Sequence, residues 1–365
     1  LSELTSSREK VEKYLRSLYG GGVELKGISR MGAPIGIEDF KGFGYGTPYL
    51  IEFYRDGEPH RLVFNTMRGD EFGHEHPWDR AQSLLMAYST FNRLPRHVKA
   101  LDVGVLMEDG SLGSLGGFRE FFLVTEFVEG IEYWRDLDRI GRTGRLTRLD
   151  LERCKALSRY LAGIHSEKLE APHLYRRRIR ELIGHGECIM GLIDSYPVDE
   201  GLPSQGDLKS IERMCLEWRW RLRDRHHRLS QVHGDYHPWN ILFREGLDFT
   251  VLDRSRGEWG EPADDVAAMT INYIFFSLRY NRGELKEPFM GLVEAFLDTY
   301  IEETGDEEVL EVIQPFYAWR ALVLASPLWY PDLPGMVRER LIRFIFQVLE
   351  KPRVEVAEMP SLFQA

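Results

Sequence analysis

The stretch Gln231–Asp253, QVHGDYHPWNILFREGLDFTVLD, decides how the rest of the chain is read. It places His233-Gly234-Asp235, then Asn240, then Asp253 around two short strand-like runs, Ile241 to Phe243 and Phe249 to Leu252. Phosphoryl transfer needs a carboxylate that orients or accepts the proton of an attacking hydroxyl, and it needs Mg²⁺ held by an amide oxygen and a second carboxylate. Asp235, Asn240 and Asp253 supply one of each. A tight loop brings the base and the amide to one mouth, and a hairpin returns Asp253 to that mouth. A helix before the loop and strands after it fix the geometry.

Working outward, Gly260-Glu261-Pro262-Ala263-Asp264-Asp265-Val266-Ala267 follows the stretch, and Leu161-Ala162-Gly163-Ile164-His165 precedes it. Here the sequence resembles the aminoglycoside phosphotransferase and choline kinase family. Its motif H-G-D-x-x-x-x-N is matched by His233, Gly234, Asp235 and Asn240, its G-D-P-x-x-D-L-A segment by the run ending at Ala267, and its L-A-x-L-H helix end by Leu161 to His165. The resemblance implies an α+β, two-lobed protein-kinase-like fold, with a small antiparallel-sheet N-lobe carrying one main helix and a larger, mainly helical C-lobe. It implies ATP and Mg²⁺ as cofactors, Asp235, Asn240 and Asp253 as catalytic residues, Asn240 and Asp253 as metal ligands, and Asp265 as a brace for the loop. The partner it implies is a small-molecule hydroxyl acceptor, aminoglycoside-, choline- or sugar-like.

The remaining sequence has the matching layout. Tyr49 to Tyr54 and Arg61 to Thr66 alternate in hydrophobicity across Asp56-Gly57-Glu58-Pro59, which predicts a hairpin, and Glu24 to Ser29 predicts a further strand. Trp78 to Asn92 has helical spacing at Ala81, Leu84, Leu85 and Tyr88. Val98 to Leu106 and Phe121 to Phe127 read as two more strands. Beyond Glu129-Gly130 the periodicity becomes helical: Arg148 to His165, Arg176 to Tyr196, Leu208 to Leu229, Asp264 to Leu278 and most of the remainder. A nucleotide-binding lobe over 1–128 and a catalytic, acceptor-binding lobe over 129–365 follow.

The first lobe departs from the expected chemistry. Kinase-like folds present a Lys from the third strand to the nucleotide phosphates and hold it with a helix acid. In Arg61 to Arg68 that position is Asn65, and the helix acid is Asp79. Arg68 and Lys41 are the replacement cations considered. The glycines of Lys41 to Thr47, Gly42, Gly44 and Gly46, are candidates to cover the phosphates, because glycine lets backbone N–H groups approach oxygen. By the resemblance, a hinge strand through Val124 to Val128 offers backbone groups of Glu126 and Val128 to adenine. The neutral Asn65 motivates a rival reading, a pseudokinase-like binder or scaffold that keeps the fold without turnover.

Composition bounds the rest. A chain of 365 residues exceeds what one core usually supports, and a net charge of -11 disfavours a nucleic-acid partner. Apolar runs around Ile271 to Leu278 and Ala321 to Trp329 fall short of the roughly 18 residues that cross a bilayer, so no membrane partner is expected. Cys154, Cys188 and Cys215 form no paired motif, which suits a reducing cytoplasm. His74-Glu75-His76 has no evident third metal ligand. No G-x-S-x-G elbow supports a serine hydrolase built on His233 or His237. Trp218, Trp220, Trp319, Trp329 and Tyr330 are candidates for an acceptor pocket or for core. Oligomeric state has no signal in the sequence.

Overall fold

A computed structural model describes residues 8–31, 46–93, 95–198, 203–254 and 256–364. Lys41, Gly42 and Gly44 of the expected phosphate loop lie outside the described residues. The chain divides into two compact units, Leu1–Thr125 and Glu126–Ala365.

In the first unit, helix α1 (Arg8–Tyr19) precedes β1 (Val23–Arg30), β2 (Gly46–Arg55) and β3 (Glu58–Met67), an antiparallel sheet in that order. The predicted hairpin forms with a two-residue turn. Asp56 and Gly57 both take positive φ, 52° and 85°, which matches the twist of the flanking strands and is cheapest with an Asp-Gly pair. Ile51 and Phe53 on β2 pack with Val11 and Leu15 of α1, and Leu62 and Phe64 on β3 lean on the same cluster. Alternation therefore turns Asn65 outward, where it is exposed. Helix α2 (Pro77–Phe91) follows, with His76 as N-cap and Asp79 accepting the His76 backbone N–H at 2.9 Å. Helix α1 is an element for which the sequence reading had no expectation.

Two strand expectations are corrected here. Val98 to Leu106 shortens to β4 (Gly104–Leu106), paired with β5 (Leu112–Ser114), and Phe121 to Phe127 forms no strand. A strand exists only where a ladder partner runs beside it, and among the described residues none runs beside Phe121 to Phe127. Its apolar side chains stay exposed, Phe122 and Phe127 each at 89%.

The second unit is mainly helical. It runs through β6 (Ile131–Glu132), α3 (Trp134–Thr143), α4 (Arg148–His165), α5 (Pro172–Gly184), α6 (Ile189–Asp194) and α7 (Gln205–Leu222). Next come β7 (Ser230–Gln231), β8 (Ile241–Phe243), β9 (Phe249–Val251) and β10 (Trp259–Gly260), then α8 (Pro262–Tyr280), α9 (Phe289–Thr304), α10 (Val309–Val312), α11 (Gln314–Ala325) and α12 (Gly335–Glu350). Every residue of α8 from Pro262 to Leu278 except Asp264 is buried, so this helix is the axis of the core, against α4, α9 and α11. The helix expected over Arg176 to Tyr196 is two, broken near Gly184 and Gly186, the weakest helix formers in the run. The one expected over Leu208 to Leu229 ends at Leu222 and leaves through a 3₁₀ turn, His226–Arg228, pinned by buried Arg228. The α+β class expected from the sequence is what the structure shows: a small antiparallel-sheet unit, then a larger helical one.

Candidate active site

The loop between β7 and β8 carries the motif. β7 pairs with β10, and the Val232 N–H donates to the Glu258 carbonyl at 2.9 Å, so the chain enters the loop from a fixed edge. Gly234 has φ +87°, a conformation that a Cβ would strain, and an added Cβ would sit 3.0 Å from Arg256 Cβ. From the first turn of α8, Asp265 reaches back beneath this turn. Its Oδ2 accepts the His233 N–H and its Oδ1 the Gly234 N–H, each at 2.7 Å, while His165 at the end of α4 lies 3.1 Å from Oδ2. Tyr300 meets the other ring nitrogen of His165 at 2.8 Å. Buried Tyr236 donates its hydroxyl to the Leu157 carbonyl on α4. The resemblance assigned Asp265 the part of a brace, and its contacts are those of one.

On this frame Asn240 donates its Nδ2 to the Asp235 carbonyl at 3.0 Å, and no hydrogen bond to its amide oxygen is seen among the described residues. The β8–β9 hairpin pairs Ile241 with Val251, and the Leu252 N–H donates to the Asn240 carbonyl at 2.8 Å. Asn240 thus closes one end of this short ladder, and Asp253 directly follows its partner Leu252. Asp253 is exposed at φ +57°, and no hydrogen bond or ion pair to it is seen among the described residues.

Residues 80–311 match the phosphotransferase enzyme family, well over half of the chain. The chain belongs to that family. Membership makes it a small-molecule kinase and carries the protein-kinase-like fold expected from the sequence. No curated protein matches it. Among solved structures the phosphotransferase is similar to amicoumacin kinase hAmiN in complex with AMP-PNP, Ca²⁺ and Ami, at 13% identity over 98% of this chain and 99% of that one, TM-score 0.42. It is similar to choline kinase LicA from Streptococcus pneumoniae at 14% identity over 93% and 98%, TM-score 0.36. With a glucosamine kinase the match covers 64% of this chain and 58% of that one, at 17% identity and TM-score 0.33.

Arg320, which the sequence reading missed, shapes the electrostatics around Asp235 together with His237 and burial. Arg320 on α11 donates Nη1 to Asp235 Oδ1 at 2.5 Å, Nη2 to the Gly234 carbonyl at 3.1 Å, and Nε and Nη2 to Asp264 Oδ1 at 3.2 and 2.6 Å. Burial pushes the Asp235 carboxyl up, but the hydrogen bond from His237 and the Arg320 guanidinium outweigh it and hold Asp235 below the usual carboxylate range. Burial also pushes Asp264 up to about 6, against the pull of Arg320 and with the help of Asp265. The Trp239 N–H donates to His237 Nδ1, so the proton of neutral His237 sits on Nε2, which lies 3.4 Å from Asp235 Oδ2. A signal for Arg320 was present: it is the single charged residue in QPFYAWRALVLA, and a lone charge in an apolar helix needs a buried partner.

The other candidates separate. Trp218 and Trp319 are core, with Nε1 bonded to the Leu349 and Glu187 carbonyls, whereas Trp220 and Trp329 are exposed. His74 turns to the Asp70 carboxylate, and no group of three or more His, Cys, Asp or Glu that could hold a metal exists among the described residues. Gly46 opens β2, and Arg68 directly follows β3. Glu126 and Val128 lie in irregular chain, not in the expected hinge strand. The three cysteines are free and buried, and among the described residues no helix is long and apolar enough to cross a membrane.

Proposed function

We propose that the protein transfers the γ-phosphate of Mg-ATP to a hydroxyl of a small molecule. The observation that supports this most is the end of the β8–β9 ladder, where Asn240 bonds to Leu252 and Asp253 comes next in the chain, with the Asn240 amide bonded to the Asp235 backbone. Mg²⁺ takes one or two carboxylates beside substrate phosphates and retains waters, so one amide oxygen and one carboxylate with its oxygens unspent fit it without a dense ligand cluster. When bound, the ion neutralises charge on the transferring phosphate. Asp235, kept ionised, orients the acceptor hydroxyl and receives its proton late in a loose transition state, where a weak base suffices.

Nucleotide contacts belong to the same proposal. Among the described residues no strand ladder uses the backbone groups of Glu126 and Val128, which supports offering them to adenine. Gly46 stands at the start of β2, after Gly42 and Gly44, and Arg68 is the cation offered in place of the missing strand Lys. The free, buried thiols suit a reducing cytoplasm.

The test is a Mg-ATP consumption screen across hydroxyl-bearing amines, sugars and amino acids, run on wild type and on Asp235→Asn. The expected outcome is consumption with at least one acceptor class, lost in the variant although it still folds. Equal consumption by both proteins would refute the assignment.

A further inference from the structure

Arg320 lies far from the motif in sequence but divides its donor fork between the motif, at Asp235 and Gly234, and Asp264. Its side chain is 8% exposed, and its guanidinium carbon sits 3.9 Å from the ring centroid of buried Trp319. The planar fork is fixed by Asp264 on one side and by the Gly234 carbonyl on another, so the Nη1 that reaches Asp235 has little freedom. That contact occupies Oδ1 at 2.5 Å. Oδ2 is different: its contacts, from His237 Nε2 at 3.4 Å and Asn240 Nδ2 at 3.5 Å, lie at the long limit of hydrogen bonding, so they hold it more loosely than Arg320 holds Oδ1. One oxygen is tied by a short charged bond, and the other can exchange a long contact for an acceptor hydroxyl.

We propose that Arg320 is the positioning residue of the transfer reaction, holding Asp235 through Oδ1 so that Oδ2 alone receives the acceptor hydroxyl. The role rests on the phosphotransferase reading of this site. In the step it serves, the acceptor oxygen forms its bond to the γ-phosphorus as the bond from that phosphorus to the β–γ bridging oxygen breaks. The hydroxyl proton passes to Asp235 Oδ2, and ADP leaves with the bridging oxygen. A carboxylate free to rotate would offer either oxygen and lose the aligned approach. The bond to Oδ1 removes that freedom without touching the substrate, which is why Arg320 acts through Asp235 and not directly.

The experiment compares wild type, Arg320→Lys and Arg320→Ala in Mg-ATP consumption, with the acceptor found in the screen or with water as acceptor, and repeats Arg320→Ala with added guanidinium chloride at millimolar concentration. A kcat lower by about 100-fold is expected in both variants, with KM for Mg-ATP within about threefold of wild type. Guanidinium should restore part of the Arg320→Ala rate. Arg320→Lys should stay slow, because a single ammonium cannot span Asp235, Gly234 and Asp264 together. If Arg320→Ala fails to fold, Arg320→Lys carries the comparison, and the resolved side-chain N–H signals of Arg320 in nitrogen-15 spectra should collapse in Asp235→Asn. Variants that keep the wild-type kcat overturn the role, as do variants that lose kcat and KM together without rescue. Absence of phosphate transfer by wild type under every acceptor overturns the functional reading and this role with it. Activity in wild type with indifferent variants overturns this role alone.

Discussion

Asp265 accepts three hydrogen bonds on two fully buried oxygens, two of them from the consecutive backbone N–H groups of His233 and Gly234. Asp265→Asn replaces one acceptor by a donor, so at least one buried N–H loses its partner. A loss of about 2 to 3 kcal/mol in urea unfolding is expected. His233 sets a pH dependence. Burial pulls its imidazolium down, Asp265 and Asp235 push back, and the ring stays below the usual range. The unfolded chain takes up this proton near about pH 6.5 and the folded ring resists it, so stability is whole above that pH and erodes as pH falls. The erosion is at most about 1.4 kcal/mol per pH unit. His233→Asn removes this term, so its stability deficit relative to wild type should shrink between about pH 7.5 and 5.5. A constant gap in urea titrations would contradict the neutral-ring assignment.

Where elements cross, small residues decide. A Cβ on Gly141 in α3 would run into the ring of Tyr280 at the end of α8. Gly141→Ala gains about 1 kcal/mol of helix propensity, but overpacking against a ring costs about 1 to 3 kcal/mol, so a net loss is expected as a lower urea midpoint. Element limits were legible where local chemistry marks them. Thr147 and Asp150 form a capping box at the start of α4, and the apolar period runs to His165, so that helix was readable at both ends. The Phe121 to Phe127 run was not, because an apolar run reads the same whether or not a neighbouring strand pairs with it. The site divided in the same way: Asp235, Asn240 and Asp253 lie within one short stretch and one hairpin, whereas Arg320 reaches Asp235 by a crossing of α11 that no local pattern encodes.

At the scale of the whole chain, the second unit carries its own core, from Tyr133 through α8 to Phe363. The first unit has a far smaller cluster around Val11, Leu15, Ile51 and Phe53. A fragment of residues 126–365 should therefore unfold in a single cooperative transition in calorimetry. A broad, featureless melt would show that its core needs the first unit. The anchoring of the motif to the most deeply enclosed helix has a further consequence for heat. Asp265 belongs to α8, so the turn at His233 and Gly234 has no private hinge that can soften ahead of its surroundings. Residual phosphate transfer after stepwise warming should decline together with ellipticity, and a sample that still looks native by dichroism should still be a working enzyme.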